Sequence, residues 1–157
     1  MITKYKTFDN YNTELSLLDI LDNDKIDKID IDYEKNKDLL IDLIWLYPQY
    51  KKKTLSKVIK KFLENGATKI INYVNDEGDN ALTSAAYFTK HDFVDFRPNF
   101  ETVKLLLEYG IDFNIESDGN HFMDLLETDE MRTEIIKLYP DKIRKYLKII
   151  KSRKFNI

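Results

Sequence analysis

Two histidines and a set of spaced carboxylates are the residues of this chain that could do chemistry. His91 stands beside Asp92, and His121 stands three residues before Asp124. On a helix that second spacing puts imidazole and carboxylate on one face, where they could serve as a base and its partner or as two metal ligands. No third ligand, nucleophile elbow, phosphate-cradling loop or dinucleotide glycine motif accompanies either pair. The absence of cysteine removes disulfides, thiolate zinc sites and cysteine nucleophiles. The acids of NDKIDKIDIDYEKN are spaced like a calcium loop, but counted from its first acid, Asp24, the loop lacks a glycine at the sixth position and a glutamate at the twelfth. The residues therefore predict a chain with no metal, no cofactor, no small-molecule substrate and no catalysis.

Composition bounds the alternatives. The 157 residues are 43% hydrophobic and 13% aromatic, enough to bury one core in a single domain over 1–157. Charged residues make up 34% yet balance to −3, so the net field selects neither nucleic acid nor an anionic membrane. Charge is uneven along the chain: residues 1–45 hold eleven acids against six bases, 51–61 hold six lysines, and 142–157 hold seven bases. Solvated helix faces account for these runs in the simplest way. The competing reading is a nucleic-acid or anionic-surface binder using 51–61 and the basic C-terminal helix. No apolar run approaches the length of a membrane span, and the N-terminus has no apolar signal core. These features point to an intracellular, cytoplasmic chain.

The elements that must position such residues follow a repeating order. Residues 13–22 read as a short N-terminal helix, and Ile29 and Ile31 alternate with Asp30 and Asp32 in an extended pattern. Residues 36–47 read as a helix ended by Pro48, and 54–65 as a second, with Val58, Ile59, Phe62 and Leu63 inward and Gly66 at its C-cap. Asn80 caps a short helix, LTSAAYF, whose partner over 100–109 stops at Gly110. A third unit opens at Asp118 and Gly119 with HFMDLLE, continues in EMRTEIIKLY, and closes at Pro140. Over 141–153 an amphipathic helix follows, with Ile143, Tyr146, Leu147 and Ile150 inward. Gly66 and Gly110 stand 44 positions apart, and Gly78 and Gly119 stand 41 apart. A period of this size predicts stacked units at 36–79, 80–117 and 118–140, with the last helix as a cap.

The middle unit, DEGDNALTSAA followed by FETVKLLLEYGIDFN, resembles the ankyrin repeat. Asn75 or Asp76 takes the initial Asp place of that pattern and Gly78 its turn glycine. Asn80, Ala81, Leu82 and Thr83 stand for its Thr-Pro-Leu-His tetrad, and Ala85 for its alanine. Val103, Leu105, Leu106, Leu107, Gly110, Asp112 and Asn114 match its second helix and exit. The resemblance covers about residues 57–126. It implies an all-α solenoid of about three helix pairs with lengthened loops and a C-terminal capping helix, acting as a protein–protein interaction module. The family's period is about 33 residues, so the extra length must fall within 87–99, a segment interrupted by Pro98, through which a helix does not easily extend. Loops lengthened in this way resemble those in ankyrin-repeat proteins of amoeba-infecting giant DNA viruses, where the partner would be a host or viral protein.

Partner-binding residues follow from that template. The turns at 67–79 and 111–119 would present Asp76, Glu77, Asp79, Asp112, Glu116 and Asp118 along the concave face. The long loop would present Phe93, Phe96 and Arg97, the aromatic-plus-arginine composition of interface hot spots. An equal reading folds Phe93 and Phe96 back as a local core, with Phe100 in the core on either reading.

Overall fold

The computed structural model describes residues 31–46, 55–90 and 97–155, and these are mostly helical. The expected helix at 13–22 and the loop residues His91, Phe93 and Phe96 lie outside the described residues, as do Lys51, Lys52 and Lys53.

Helix α1 spans Leu39–Leu46. It begins three residues later than the 36–47 periodicity predicts. Asp32 accepts the Glu34 and Lys35 backbone N–H groups at 3.1 and 3.4 Å, and the Asn36 amide donates to the Asp32 carbonyl at 2.7 Å. These local side-chain bonds give the backbone an alternative to the first helical turn. Helix α2, Leu55–Glu64, buries Leu55, Val58, Ile59, Phe62 and Leu63, the i, i+3, i+4, i+7, i+8 stripe of an amphipathic helix. It ends at Gly66, whose φ is +109° and whose position a Cβ would share with the Tyr33 ring at 3.3 Å. Gly66 therefore meets two demands at once: a left-handed backbone and room for Tyr33, whose hydroxyl donates to the Asn65 carbonyl.

A 3-10 turn over Ala67–Ile70 leads into a tight loop built on Asn75. Its side-chain oxygen accepts from the backbone N–H of Glu77 at 3.0 Å and of Asp79 at 2.8 Å. Helix α3, Ala81–Tyr87, follows, with Asn80 accepting from the Thr83 N–H at 3.0 Å as its N-cap. Six of its seven residues are buried, because α1, α4 and α5 all pack on it. Ala81, Ser84, Ala85 and Ala86 are small enough to admit three neighbours at close range. A 3-10 turn at Phe88–Lys90 extends α3.

Helix α4 spans Arg97–Glu108 and runs through Pro98. This corrects the expectation that Pro98 keeps 97–99 out of the helix. In a first turn the missing proline N–H costs nothing, since no intrahelical acceptor exists for it. Arg97 is accordingly a helical residue, not a loop residue. Phe100 is buried, as expected. Gly110 ends the helix at φ +87°, and a Cβ there would meet nothing within 4 Å. Only the backbone angle selects glycine at this position. Gly110→Val is therefore expected to lower stability by about 1–2 kcal/mol, and Gly110→Asn by clearly less, because Asn tolerates the left-handed region. Equal shifts in the urea midpoints of the two variants would reject this account.

A two-stranded hairpin, which the helical pattern did not predict, pairs β1 (Glu116–Ser117) with β2 (Asn120–His121). Its two turn residues, Asp118 and Gly119, have φ of +50° and +76°, the geometry that lets a two-residue loop follow the strand twist. Helix α5, Phe122–Leu125, is a single turn. Helix α6, Asp129–Leu138, takes its N-cap from Thr128, with Asp129 and Glu130 in the first turn. Helix α7, Pro140–Phe155, packs on α6.

The packing has one pattern. First helices of successive pairs touch, α1 on α3 and α3 on α5, and second helices touch, α2 on α4. Lys104 of α4 reaches Glu134 of α6 at 2.8 Å, linking the next pair of second helices. One apolar cluster runs from Ile31 to Tyr146 through all of them. On α7, Ile143 and Tyr146 are buried and Ile150 is half-buried, but Leu147 is 49% exposed, against the expectation that it faces inward. Among the described residues α7 follows the last pair, and no further helix packs on its far side. Its buried stripe is correspondingly narrow.

Candidate functional site

Consecutive turns are tied to each other before any groove can form between them. The Asn80 side chain caps α3 with its oxygen and donates from its nitrogen to the Glu116 carbonyl in β1, at 3.3 Å. Asn80 is fully buried; its bond to Thr83 is made away from water and its bond to Glu116 is part-buried. The Asp112 N–H donates to the Asn72 side chain at 2.7 Å, a second link between the same two turns. Gly78 and Asp118 then lie side by side: a Cβ on Gly78 would stand 3.6 Å from an Asp118 carboxylate oxygen.

Between these turns and the first helices lies a groove of ≈ 240 Å³. Trp45 at the end of α1 and Tyr87 at the end of α3 form its aromatic side, with ring centroids 6.1 Å apart and planes inclined by 30°. Both rings stay about two-fifths exposed, at 39% and 40%, unusual for a stacked Trp–Tyr pair with Phe88 against its edges. Asp79, Ser117, Asp118 and Asn120 form the polar side, while Thr83, Ser84 and Leu125 complete the walls. Ser84 is 97% buried by complement of its 3% exposure, and its hydroxyl oxygen has no hydrogen-bond partner. A buried hydroxyl left unpaired costs about 1–3 kcal/mol.

Of the acids expected to meet a partner, the structure brings Asp79 and Asp118 to this groove. Asp76 and Glu77 are exposed at the tip of their turn. Asp112 is exposed, and its carboxylate accepts from the Asn114 N–H at 3.0 Å. The Glu116 carboxylate is engaged by Arg153 of α7 at 2.7 Å, so it serves to hold that helix. Trp45, Tyr87, Ser84 and Asn120 were missed by sequence reasoning. For Trp45 a signal existed: Leu39, Leu40, Leu43 and Ile44 supply the inward stripe of α1, which leaves an indole at position 45 off that stripe.

The His121–Asp124 pair resolves into structural work. His121 is 1% exposed and stacks on the Tyr146 ring of α7, with centroids 3.8 Å apart and planes inclined by 19°. Nε2 lies 2.6 Å from the Phe113 carbonyl, which can only accept, so Nε2 carries the proton. Nδ1 is then the acceptor of the Met123 N–H at 3.3 Å and caps α5. Asp124 takes the Tyr146 hydroxyl at 3.3 Å. Burial pushes the Tyr146 phenol up to about 12, with the nearby Asp124 carboxylate adding to it. Among the described residues no group of three or more His, Asp or Glu could hold a metal ion.

Burial lowers the His121 pKa below 6.5, against the opposing pull of the Phe113 carbonyl bond and the Asp124 and Glu116 carboxylates. The unfolded ring titrates near 6.5, so on acidification the unfolded chain binds a proton before the folded one. The stability contributed by the neutral ring is complete above 6.5 and is lost as the pH falls through the lower folded value. The His121 ring resonances, followed by NMR, are expected to titrate below 6.5, with the urea midpoint falling over the same window. A His121 midpoint at or above 6.5 would refute the assignment.

The basic segments are partly committed to intramolecular contacts. Lys60 pairs with Glu64 at 3.9 Å, Arg144 pairs with Asp141, and Lys142 sits over the Tyr139 ring at 5.5 Å. Lys145, Lys148 and Lys151 remain exposed on α7. Among the described residues no helix is long and apolar enough to cross a membrane. The chain matches no family model, no curated protein and no solved structure.

Proposed function

We propose that this chain is a stack of about three ankyrin-like helix pairs, closed by α7, that binds another protein and performs no chemistry of its own. The observation that carries the reading is the groove: it draws side chains from three successive units, Trp45 of the first, Thr83, Ser84 and Tyr87 of the second, and Asn120 and Leu125 of the third. A surface assembled across units and lined by exposed aromatic rings has the composition of interface hot spots. The left-handed glycines at 66, 78 and 110 and the buried cap at Asn80 stand where the resemblance places turns and helix starts. His121, the residue most suited to catalysis, has both ring nitrogens committed to the backbone.

The test is selection of peptides from a displayed random library on the intact protein. Selected peptides are expected to lose about tenfold or more in affinity for Trp45→Ala, the effect of removing an aromatic hot spot. Trp45→Phe separates lost contact from lost fold, since it keeps a ring against Phe88. Failure to enrich any peptide, or enrichment of peptides indifferent to Trp45, would remove the reading.

A further inference from the structure

We infer that the groove takes an arginine side chain of the partner. This rests on the interaction-module reading and names the chemistry of what that site accepts. Three independent features of the groove ask for the same group. Trp45, about two-fifths exposed, brings an aromatic ring to the groove beside Tyr87, and a planar guanidinium stacks on such a ring. Asp118 lines the same groove from an exposed hairpin turn, makes no ion pair among the described residues, and presents a carboxylate that an arginine fork binds through two parallel N–H groups. Ser84 lines the same groove with a buried hydroxyl oxygen that has no partner, an acceptor in want of a donor. Guanidinium carries five donors and no acceptor, so one side chain can serve Asp118 and Ser84 together while stacking.

Charge complementarity decides against the other occupants. Asp79 also lines the groove, and among the described residues no lysine, arginine or histidine lines it. An acidic or phosphorylated segment would meet like charge there. An apolar segment would desolvate the Asp118 carboxylate without giving it a partner and would leave the Ser84 hydroxyl unpaired as it is. The backbone at Asp118, at φ +50°, is a conformation Asn also adopts, so the carboxylate can be neutralised without changing the turn.

The experiment titrates the full chain with acetyl-Gly-Arg-Gly-amide and with its citrulline counterpart, which keeps the planar shape and loses the charge, watching protein N–H resonances by NMR. The arginine peptide is expected to give saturable shifts at the Trp45 indole N–H and at the Asp118, Gly119 and Asn120 amides. The citrulline peptide should bind at least about tenfold more weakly, and Asp118→Asn should weaken the arginine peptide by a similar factor, as loss of one partner of a charge-assisted pair does. Glu130→Gln, which removes the same charge from exposed α6, should leave binding unchanged and so excludes a net-charge effect. Equal binding of the citrulline peptide, insensitivity to Asp118→Asn in a variant of unchanged melting curve, or shifts scattered away from the groove would overturn the inference. If the library then still yields peptides that depend on Trp45, only the arginine assignment falls; if it yields none, the interaction reading falls with it.

Discussion

Phe122→Ala is expected to lower the stability of the domain by about 3–5 kcal/mol, the range for truncating a fully buried aromatic ring. Phe122 is 0% exposed and meets the Phe113 ring edge-to-face, with centroids 5.1 Å apart and planes at 87°. The His121 ring lies 4.7 Å from Phe122 and 5.5 Å from Phe113, so the three rings form one cluster. Helix α5 is only four residues long, so it has no intrinsic helical stability and is held by what Phe122 and Met123 bury. Removing the ring therefore opens a cavity and also frees the turn that packs on α3. Because Asn120 precedes that turn, Leu125 ends it and both line the groove, the same variant should lose groove-dependent binding. Phe122→Leu, closer in volume, should cost about half as much or less. The urea midpoint measures both variants. An Ala effect below about 1 kcal/mol would mean that the third pair is not part of the cooperative unit.

Ile143→Asp should cost roughly 4 kcal/mol or more, the scale reached when an unpaired charge replaces a buried side chain. Ile143 is 8% exposed within the continuous core, and Tyr146, one turn on, carries the stack against His121. A carboxylate at position 143 would lose the apolar contact and would be desolvated within the core. By contrast, Lys148→Glu with Lys151→Glu changes only exposed positions and should stay within about 0.5 kcal/mol. This pair of variants separates a helix that closes the core from a helix kept for its charge. If Ile143→Asp melts like the parent chain, α7 does not cover the core. If the double reversal abolishes salt-dependent oligonucleotide binding by a folded protein, the nucleic-acid reading gains instead.

The sequence by itself determined the local grammar of this protein. Gly110 after LLLEY, Asn80 before ALTSAA and the stripe of Val58, Ile59, Phe62 and Leu63 are decided within a few residues, by backbone sterics, cap hydrogen bonds and helical period. Such terms need no knowledge of the rest of the chain, so they are legible in a string of letters. Helix boundaries were less so where two local preferences competed. Asp32 and Asn36 shortened α1 from its start, and Pro98 entered α4 because a first turn does not need its N–H. The hairpin at Asp118 and Gly119 was legible in principle, since Asp-Gly is a two-residue turn signal, but the helical reading of HFMDLL took precedence.

Only the tertiary structure decided which of the many acids share a site. Asp79 and Asp118 are 39 positions apart and Trp45 is 34 before Asp79, yet all line one groove, while Glu116 is drawn away to Arg153. A surface carboxylate has no sequence-local preference for one partner over another; its role is set by which turn the stacking of α1, α3 and α5 brings beside it. The same holds for His121, whose spacing to Asp124 fits a base, a ligand or a cap equally well. The Phe113 carbonyl, the Met123 N–H and the Tyr146 ring made it a cap, because packing placed an acceptor, a donor and an aromatic face around a single buried imidazole.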